Sequence, residues 1–367
     1  MFSFFMPVLV VSSIATFLTV LLVVAERYLV NYGECSIDIN DGDKELKVQG
    51  GDSLLSSLTG EKIFIPSACG GRGTCGYCKV TVLEGGGPLL PTETPFLTRK
   101  EIAEDMRLSC QVKIRQDMRI AIPQELLAVK EYACRCSEIV DLTHDIKLFR
   151  FELVEPDAID FVAGQYVQLF TPVYFRGGEE VYRAYSIASD VSEKGMLELI
   201  IRLVPCGICT TYCFEHLKAG DEVLLNGPYG EFCLSETDAP MIFVAGASGM
   251  APIRSILCDM RNTQNRRKAT YYFGANKVNE LFMLDEMRQF EEKLADFKFV
   301  PVAASPGKDE QWDGEVGLVT EVVERGLKNA SECEAYLCGS PGMIEACRKL
   351  LVKMGMGEDK IYFDSFE

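Results

Sequence analysis

The chain opens with one long apolar stretch. From Val8 to Ala25 it is interrupted only by the hydroxyl side chains of Ser12, Ser13, Thr16 and Thr19, and no charged residue occurs before Glu26. A helix needs about 20 apolar residues to cross the hydrocarbon of a bilayer, and the stretch shows neither a basic start nor a small-residue cleavage site of a signal peptide. A terminal segment that is apolar on all sides favours a transmembrane anchor over residues 1–30, with a buried core helix as the alternative.

The next two blocks show short strand patterns with little helical periodicity. Residues 33–129 hold short strand-like runs around a glycine-rich cysteine loop, which predicts a first folded domain there. Residues 130–235 read as alternating strands, as in a small antiparallel β-barrel. The strands predicted in this second block are Ile146–Leu153, Tyr166–Thr171, Leu197–Leu203 and Glu222–Leu225.

Residues 236–367 alternate buried strands with helical patterns, which predicts a doubly wound α/β domain. The predicted strands are Met241–Ala245, Ala269–Phe273, Phe297–Pro301, Glu334–Cys338 and Lys360–Phe363. The predicted helices begin near Ala251, Glu280, Leu318 and Gly342. The sequence therefore predicts an anchor followed by three domains.

Composition narrows the function classes. The 367 residues are 48% hydrophobic and carry a formal net charge of −17. The negative charge excludes a surface that binds nucleic acid. It is explained either by ordinary solubility or by a basic docking partner. Fifteen cysteines in a chain of this length indicate metal ligation and reduced thiols, as in the cytoplasm, and not a disulfide framework.

The strongest chemical signal is a cysteine loop. Cys69, Cys75 and Cys78 lie in one glycine-rich loop, and Cys110 follows from a distant segment. Three thiolates from one loop and a fourth from elsewhere hold the 2Fe–2S cluster of plant-type ferredoxins, although the first gap here has five residues and not four. The loop must curl tightly around the cluster, which requires glycine at the residues with positive φ: Gly70, Gly71, Gly73 and Gly76. A structural zinc site would prefer two Cys-x₂-Cys pairs, and buried free cysteines would not need these glycines.

A second motif, Arg183-Ala184-Tyr185-Ser186, resembles the flavin motif of the ferredoxin–NAD(P)H reductase family. The resemblance implies that Arg183 meets the pyrophosphate of FAD, that Tyr185 packs on the isoalloxazine ring and that Ser186 reaches flavin N5. It also implies a second pyrophosphate contact in a turn before a helix predicted at Tyr212–Leu217. The residues of that turn are Gly207, Cys209 and Thr210.

A third motif lies in the α/β block. A glycine loop after an apolar strand opens a helix, as dinucleotide sites require, with Ala247 where relatives often have glycine. Its candidate NADH contacts are Gly246, Ser248, Gly249, Met250 and Pro252. In the same family the cysteine and glycine of a turn like Cys338-Gly339 lie beside the nicotinamide, and a terminal aromatic such as Phe366 covers the flavin. One lysine and no arginine in residues 276–280 favour NADH over NADPH.

Other cysteines and the two histidines carry weaker hypotheses. Cys206, Cys209 and Cys213 have a spacing that could serve another metal, but they overlap the flavin turn and have no obvious fourth ligand. His144 and His216 belong to no motif, which favours a structural or solvated role for both.

The order of anchor, ferredoxin, flavin barrel and NAD domain resembles the F subunits of the sodium-translocating NADH:quinone oxidoreductases, which implies a β-grasp fold of the plant-type ferredoxins for residues 33–129. The resemblance implies electron transfer from NADH through FAD and a 2Fe–2S cluster to integral membrane partner subunits, with the cofactor domains on the cytoplasmic side of the inner membrane. It also implies links to sodium transport and ubiquinone. That family has a long insertion before the flavin motif, where this chain has only Pro172–Tyr182. The alternatives are a reductase that serves an oxygenase or corrinoid acceptor, and a non-catalytic redox-sensing module.

Overall fold

The computed structural model describes residues 11–21, 32–178, 180–307 and 312–366. They divide into two compact units, Met1–Val129 and Lys130–Glu367, and each is described by itself.

Residues 11–21 are helical (α1), and every side chain in them is exposed, including Val11 and Phe17 at 66% and 65%. The hydroxyls of Thr16 and Thr19 each donate to the carbonyl four residues earlier, at 2.8 Å. No helix in the described parts of the chain is long and apolar enough to cross a membrane. The rest of the anchor predicted at 1–30, residues 1–10 and 22–30, lies outside the described residues.

The first unit contains a five-stranded mixed sheet in the order β2-β1-β5-β3-β4, in which β1 and β5 pair in parallel. Its helix α2 has Leu54 and Leu58 fully buried four residues apart, as an amphipathic helix requires, and the Ser53 hydroxyl caps its first turn. The elements are β1 Glu34–Ile39, β2 Lys44–Gln49, α2 Leu54–Gly60, β3 Lys79–Glu84, α3 Arg99–Ala103, β4 Met106–Leu108, β5 Met118–Ala121 and α4 Gln124–Leu127.

A buried ion pair stabilises the loop side of this unit. The Arg107 guanidinium donates to both carboxylate oxygens of Glu93, at 2.9 and 2.7 Å, and the Glu93 side chain is fully buried. The other nitrogen–hydrogen groups of the Arg107 guanidinium donate to the carbonyls of Gly86, Gly87 and Pro88. Because these donors and acceptors are all used, the pair offsets the cost of burying two charges.

The second unit begins with a six-stranded antiparallel sheet in the order β10-β7-β6-β11-β8-β9. An antiparallel bridge between Ile187 and Leu199 joins the two edge strands and closes the sheet into a barrel. The elements are β6 Lys130–Asp141, β7 Ile146–Glu155, β8 Tyr166–Thr171, β9 Val181–Ser186, β10 Met196–Arg202, α5 Ile208–Thr211 and β11 Glu222–Tyr229.

The rest of the second unit is a parallel six-stranded sheet in the order β15-β14-β13-β12-β16-β17. Strand order reverses between β12 and β16, and ligands of such sheets bind at that point. The elements are β12 Met241–Gly246, α6 Met250–Asn262, β13 Ala269–Ala275, α7 Leu284–Lys293, β14 Phe297–Ala303, β15 Glu315–Val316, α8 Val319–Gly326, β16 Glu334–Gly339, α9 Pro341–Lys353 and β17 Ile361–Ser365.

The barrel and α/β folds predicted for this unit are therefore confirmed, with small shifts of element ends. The helix predicted to begin near Glu280 begins at Leu284, because Val278–Glu280 forms a 3₁₀ turn and Met283 has a left-handed φ of 52°. Such local reversals have no periodic signature in a sequence.

We expect Glu93→Ala to destabilise the first unit by about 3–5 kcal/mol, because it leaves the buried Arg107 without its counter-ion. Burial alone raises the pKa of Glu93, but hydrogen bonds from Arg107 and from the amides of Leu90 and Leu108 lower it overall. The stabilisation is therefore complete above the unfolded carboxyl pKa of about 4.3 and is lost as pH falls through the lower folded-state value.

Urea unfolding, followed by the visible absorbance of the iron–sulfur chromophore, measures this change. The matched control is Glu84→Ala, which removes an exposed ion pair with Arg119 in the same unit. Equal unfolding midpoints for the two variants would contradict the prediction.

Candidate functional site

The cysteine loop brings its four predicted ligands together as two pairs. The Cys75 thiol donates to Cys69 at 3.4 Å, and the Cys78 thiol donates to Cys110. Cys110 comes from the segment after β4, which the Ser109 amide and hydroxyl tie to the carbonyl of Cys78 at 2.8 and 3.0 Å. Two thiol pairs are what a two-iron cluster needs, since each iron takes two thiolates.

The backbone of the loop has the conformation that the glycines predict. Gly70, Gly71, Gly73 and Gly76 have φ between 64° and 84°, the left-handed region that favours glycine. At Gly76 an added Cβ would approach Phe96 to 2.9 Å. The glycines therefore permit a loop conformation that other residues would strain.

Within each thiol pair of the loop, a hydrogen bond makes one thiol more acidic. The hydrogen bond from Cys75 lowers the pKa of Cys69, and the hydrogen bond from Cys78 lowers the pKa of Cys110. Within the described residues no three His, Cys, Asp or Glu side chains converge on a single metal ion. A pairwise arrangement fits a two-iron cluster better than a single zinc ion, which would need all four thiolates around one point.

In the second unit, the predicted flavin motif occupies β9. Arg183 and Tyr185 lie on one face of this strand, and Ser186 lies on the other. The Arg183 guanidinium donates to the carbonyl of Tyr182 at 2.8 Å, and it forms no ion pair with a carboxylate of the described residues. A partly buried arginine with no such carboxylate partner fits a site for an anionic group such as a pyrophosphate.

The predicted pyrophosphate turn lies against that strand. The helix predicted at Tyr212–Leu217 starts earlier, at Ile208, with Gly207 as its N-cap, and continues as a π-helical turn over Tyr212–His216. An added Cβ at Gly207 would approach the Thr210 hydroxyl to 2.6 Å, because that hydroxyl folds back on the turn. The Thr210 hydroxyl also bonds the amide and the carbonyl of Val204 at 3.2 Å, so it fixes the turn that leads into the helix.

The three cysteines of this turn do not form a common site. Cys206 is exposed, whereas Cys209 and Cys213 are buried and contact each other. Burial raises the pKa of Cys209, but hydrogen bonding from Cys213 and Tyr185 lowers it overall. The hypothesis of another metal at these cysteines is therefore not supported, because one of the three thiols points to solvent.

Tyr174, in the short segment before β9, packs on the turn that begins α5. The Tyr174 hydroxyl donates to the carbonyl of Ile208 at 2.8 Å, and the Tyr174 ring lies 4.6 Å from that of His216. His216 therefore has a packing role, and His144 is an exposed side chain beside Asp145.

At the switch point of the parallel sheet, the glycine turn follows β12 and opens α6. An added Cβ at Gly249 would approach the carbonyl oxygen of Cys338 to 2.3 Å, so only glycine fits there. Ala247 has a left-handed φ of 51°, a conformation that costs a non-glycine residue about 1–2 kcal/mol. Ser248 lies in the 3₁₀ turn, and Met250 and Pro252 form the buried first turn of α6.

Cys338 is the second-last residue of β16 and lies beside this turn. Its side chain is fully buried, and burial together with the charge of Asp364 raises the pKa of its thiol. Ser340 accepts a hydrogen bond from the amide of Met343 and caps α9, which explains a serine at this position. The amide of Phe366 donates to the carbonyl of Gly339 at 2.9 Å, so the backbone of Phe366 is held at the end of β16.

Asp364 is a site residue that the sequence reasoning missed. Its carboxylate accepts a hydrogen bond from the Ser186 hydroxyl at 3.1 Å, and its backbone pairs in register with Cys338 on the neighbouring strand. Burial raises the pKa of Asp364, and the hydrogen bond from Ser186 opposes the rise. The available signal was an acidic residue in a partly buried terminal strand, two positions before the aromatic Phe366.

Three family descriptions match the chain in the order of these sites. They are the 2Fe-2S iron-sulfur cluster binding domain over residues 37–115, the oxidoreductase FAD-binding domain over 133–233 and the oxidoreductase NAD-binding domain over 243–349. The chain is 36% identical to the F subunit of the Na(+)-translocating NADH-quinone reductase of Idiomarina loihiensis, with 95% of each chain covered. It is 34% identical to the protein of the same name in Pseudomonas aeruginosa, with 100% of this chain and 99% of that one covered.

The chain belongs to the family of F subunits of the Na⁺-translocating NADH-quinone reductases. It is an NADH-dependent oxidoreductase with domains for FAD, NAD and a 2Fe–2S cluster. The predicted cofactors are thus confirmed at the level of domains.

Two solved structures are similar over most of the chain. An Amycolatopsis cytochrome P450 reductase, GcoB, is 26% identical with a TM-score of 0.72, and the match covers 90% of this chain and 98% of that one. The ferredoxin reductase in carbazole 1,9a-dioxygenase is 25% identical with a TM-score of 0.69, and that match covers 91% and 98%. The domain architecture of the family therefore also occurs in reductases with other names.

We expect Asp364→Asn to slow flavin reduction by NADH about tenfold or more, because the variant loses the charge that orients Ser186 and faces Cys338. Stopped-flow absorbance at saturating NADH measures the rate. Asp359→Asn, an exposed change just before the same strand, is the matched control and should leave the rate unchanged. A wild-type rate in Asp364→Asn would show that this carboxylate has no role in hydride transfer.

Proposed function

We propose that this chain transfers electrons from NADH to FAD, then to its 2Fe–2S cluster and on to membrane subunits of a Na⁺-translocating quinone reductase. The observation that carries the proposal is the hydrogen bond between Ser186 and Asp364, since it joins the flavin motif to the nicotinamide side of the parallel sheet. Relatives of the same name over nearly the whole chain support the partner.

Cys69, Cys75, Cys78 and Cys110 would hold the cluster, with the first two on one iron and the last two on the other. The contact within each thiol pair supports this division. The exposed aromatic ring of Tyr77, between the second and third of these cysteines, would lie at the surface that faces an acceptor.

Arg183 would bind the pyrophosphate of FAD together with the turn of Gly207, Cys209 and Thr210. Tyr185 would pack on the flavin ring from the same face of β9 as Arg183, with the backbone of Ala184 between the two side chains. Ser186 would hold a hydrogen bond at flavin N5, with Asp364 fixing its hydroxyl. The position of the Arg183 guanidinium and the neighbourhood of Tyr185 and Cys209 support these roles.

The nicotinamide dinucleotide would lie on the turn formed by Gly246, Ser248 and Gly249 and on the start of α6 at Met250 and Pro252. Cys338 and Gly339 would hold the nicotinamide against the flavin, and Phe366 would cover the flavin until the nicotinamide enters. The close approach of Gly249 to Cys338 and the anchoring of Phe366 at Gly339 support this arrangement.

When bound, FAD accepts two electrons together as a hydride and gives them up singly, which a one-electron cluster requires. The protein's own contribution is to orient the donor and acceptor and to keep water away from them. Cys338 and Ser186, which are both buried, serve the second purpose.

We further propose a single-pass anchor at residues 1–30 in the inner membrane, with the cofactor domains on its cytoplasmic side. The apolar side chains of α1 are exposed on every side, and its threonine hydroxyls are satisfied within the helix, as hydrocarbon requires. The proposed domain limits are 33–129 for the ferredoxin domain, 130–235 for the FAD barrel and 236–367 for the NAD domain.

A second candidate is a reductase that serves an oxygenase or corrinoid protein. The short segment Pro172–Tyr182 and the similarity to oxygenase reductases favour it. Both candidates share the same electron path and differ only in the acceptor.

We expect Cys75→Ser to remove the visible spectrum of the cluster and to leave FAD bound and reducible by NADH, because the thiols and the flavin motif belong to separate compact units. Absorbance spectra and anaerobic NADH titration measure both properties. Cys333→Ser, a change at a cysteine of the second unit, is the control and should keep both chromophores. A folded Cys75→Ser protein without flavin reduction would contradict the modular assignment.

We expect the chain without residues 1–30 to stay soluble and to reduce artificial acceptors, yet to fail to reduce quinone in reconstituted membranes. The anchor segment has no ionisable side chain before Glu26, so ion transport would depend on other subunits. The full chain should co-purify from native membranes with integral subunits and show sodium-dependent NADH:quinone activity.

The control for this experiment is the full chain in the same membranes. Recovery of only a soluble oxygenase or corrinoid protein, or quinone activity indifferent to sodium, would reject the first candidate acceptor.

A further inference from the structure

An arginine of α6 links the nicotinamide side of the second unit to the strand that carries Ser186. The Arg254 guanidinium donates to the carbonyl of Ala188 at 2.6 Å and to the carboxylate of Glu198 at 2.5 Å. It also donates to Glu286 of α7 at 2.9 Å. With 12% of its side chain exposed, Arg254 is a buried cation between three acceptors from different elements.

The segment directly after Ser186 is held from both sides. On the barrel side, the amide of Ala188 donates to the carbonyl of Glu198, and the amide of Glu198 donates to the Ser189 hydroxyl at 2.6 Å. On the side of α6, Arg254 binds the carbonyl of Ala188 and the Ser255 hydroxyl donates to the carbonyl of Ser189 at 2.8 Å. We call these four hydrogen bonds the clamp. They hold residues 188 and 189 and therefore restrict the position of Ser186, which lies two residues before them.

Together with the clamp, a series of contacts connects α6 to Ser186 by a second route through the second unit. Helix α6 begins at the dinucleotide turn, where Gly249 approaches the carbonyl of Cys338. Cys338 pairs with Asp364, and Asp364 accepts the hydrogen bond of Ser186. A shift of Arg254 relative to Glu198 would change the separation between Ser186 and Cys338, because Arg254 belongs to the helix that opens at the glycine turn and Glu198 bonds to the segment after Ser186.

We propose that Arg254 is a positioning residue for hydride transfer, which acts by fixing the Ser186 segment against the helix that opens the dinucleotide site. The proposal rests on the proposed function, since it assumes that the flavin and the nicotinamide meet between Ser186 and Cys338. Glu198 is its essential partner, because this carboxylate also binds Arg150 at 2.6 Å and so joins Arg254 to the neighbouring strand β7.

The test compares Arg254→Met, which keeps the length of the side chain, with Arg254→Lys, which keeps its charge. Arg261→Met is the matched control, since Arg261 lies on the same helix, is partly exposed and pairs at 2.5 Å with Asp190, which follows the clamped segment. All variants are made in the full-length, flavin-loaded chain.

We expect Arg254→Met to lower the limiting rate of flavin reduction at saturating NADH by about 10- to 100-fold, with a much smaller change in the NADH dissociation constant. The nicotinamide–flavin charge-transfer absorbance should fall in parallel. Arg254→Lys should restore part of both signals, and Arg261→Met should match the wild type.

Hydrogen exchange supplies a readout that does not depend on turnover. In Arg254→Met, with and without bound flavin, the amides of residues 187–189 should exchange faster than in the wild type and in Arg261→Met. If Arg254→Met does not fold, Glu198→Gln removes the same charge pair with little change in volume and should produce the same effects.

A wild-type limiting rate and charge-transfer band in Arg254→Met or Glu198→Gln, with only a lower melting temperature, would overturn the proposal. An equal loss in Arg261→Met would also overturn it, because the effect would then belong to the whole interface. Failure of NADH to reduce the wild-type flavin would instead reject the proposed function.

Discussion

The second unit depends on one hydrophobic core that runs from the antiparallel barrel into the parallel sheet. Barrel residues such as Ala188 and Ile200 belong to the same buried cluster as Ile253 and Ile256 of α6. This core packs the segment that follows β9 against α6, the helix that begins at the glycine turn. Close packing tolerates little displacement, so two sites that come from different folds keep a fixed separation.

Hydrogen bonds and ion pairs across this core determine which segments face each other. Arg254, Glu198 and Asp364 are buried or partly buried groups whose partners come from distant segments. A buried charge is tolerated only when it is paired. The pairing of Arg254 with Glu198 and Glu286 therefore restricts the geometry of the core, and the hydrogen bond from Ser186 to Asp364 adds a further constraint.

The fifteen cysteines show how environment separates inert thiols from ligand candidates. Burial alone raises the pKa of Cys134 and of Cys347 to about 12, which makes their thiols poor nucleophiles and poor ligands. In the cysteine loop a hydrogen bond from a second thiol reverses this effect at Cys69 and Cys110. Spacing in the sequence identified the loop thiols, and the pairing supplies a physical reason why Cys69 and Cys110 differ from thiols that are buried without such a partner.

The sequence alone determined the fold classes of the reductase domains, the cysteine loop and the flavin and dinucleotide motifs, because each depends on local periodicity or on glycines at fixed spacing. The tertiary structure decided which cysteine pairs with which, that Cys206 faces away from Cys209, and that α5 starts at Ile208. It also decided the roles of Asp364 and Arg254, which belong to no motif and whose partners lie 178 and 56 residues away in the chain. Such contacts arise only when strands far apart in sequence become neighbours, and no local pattern records that event.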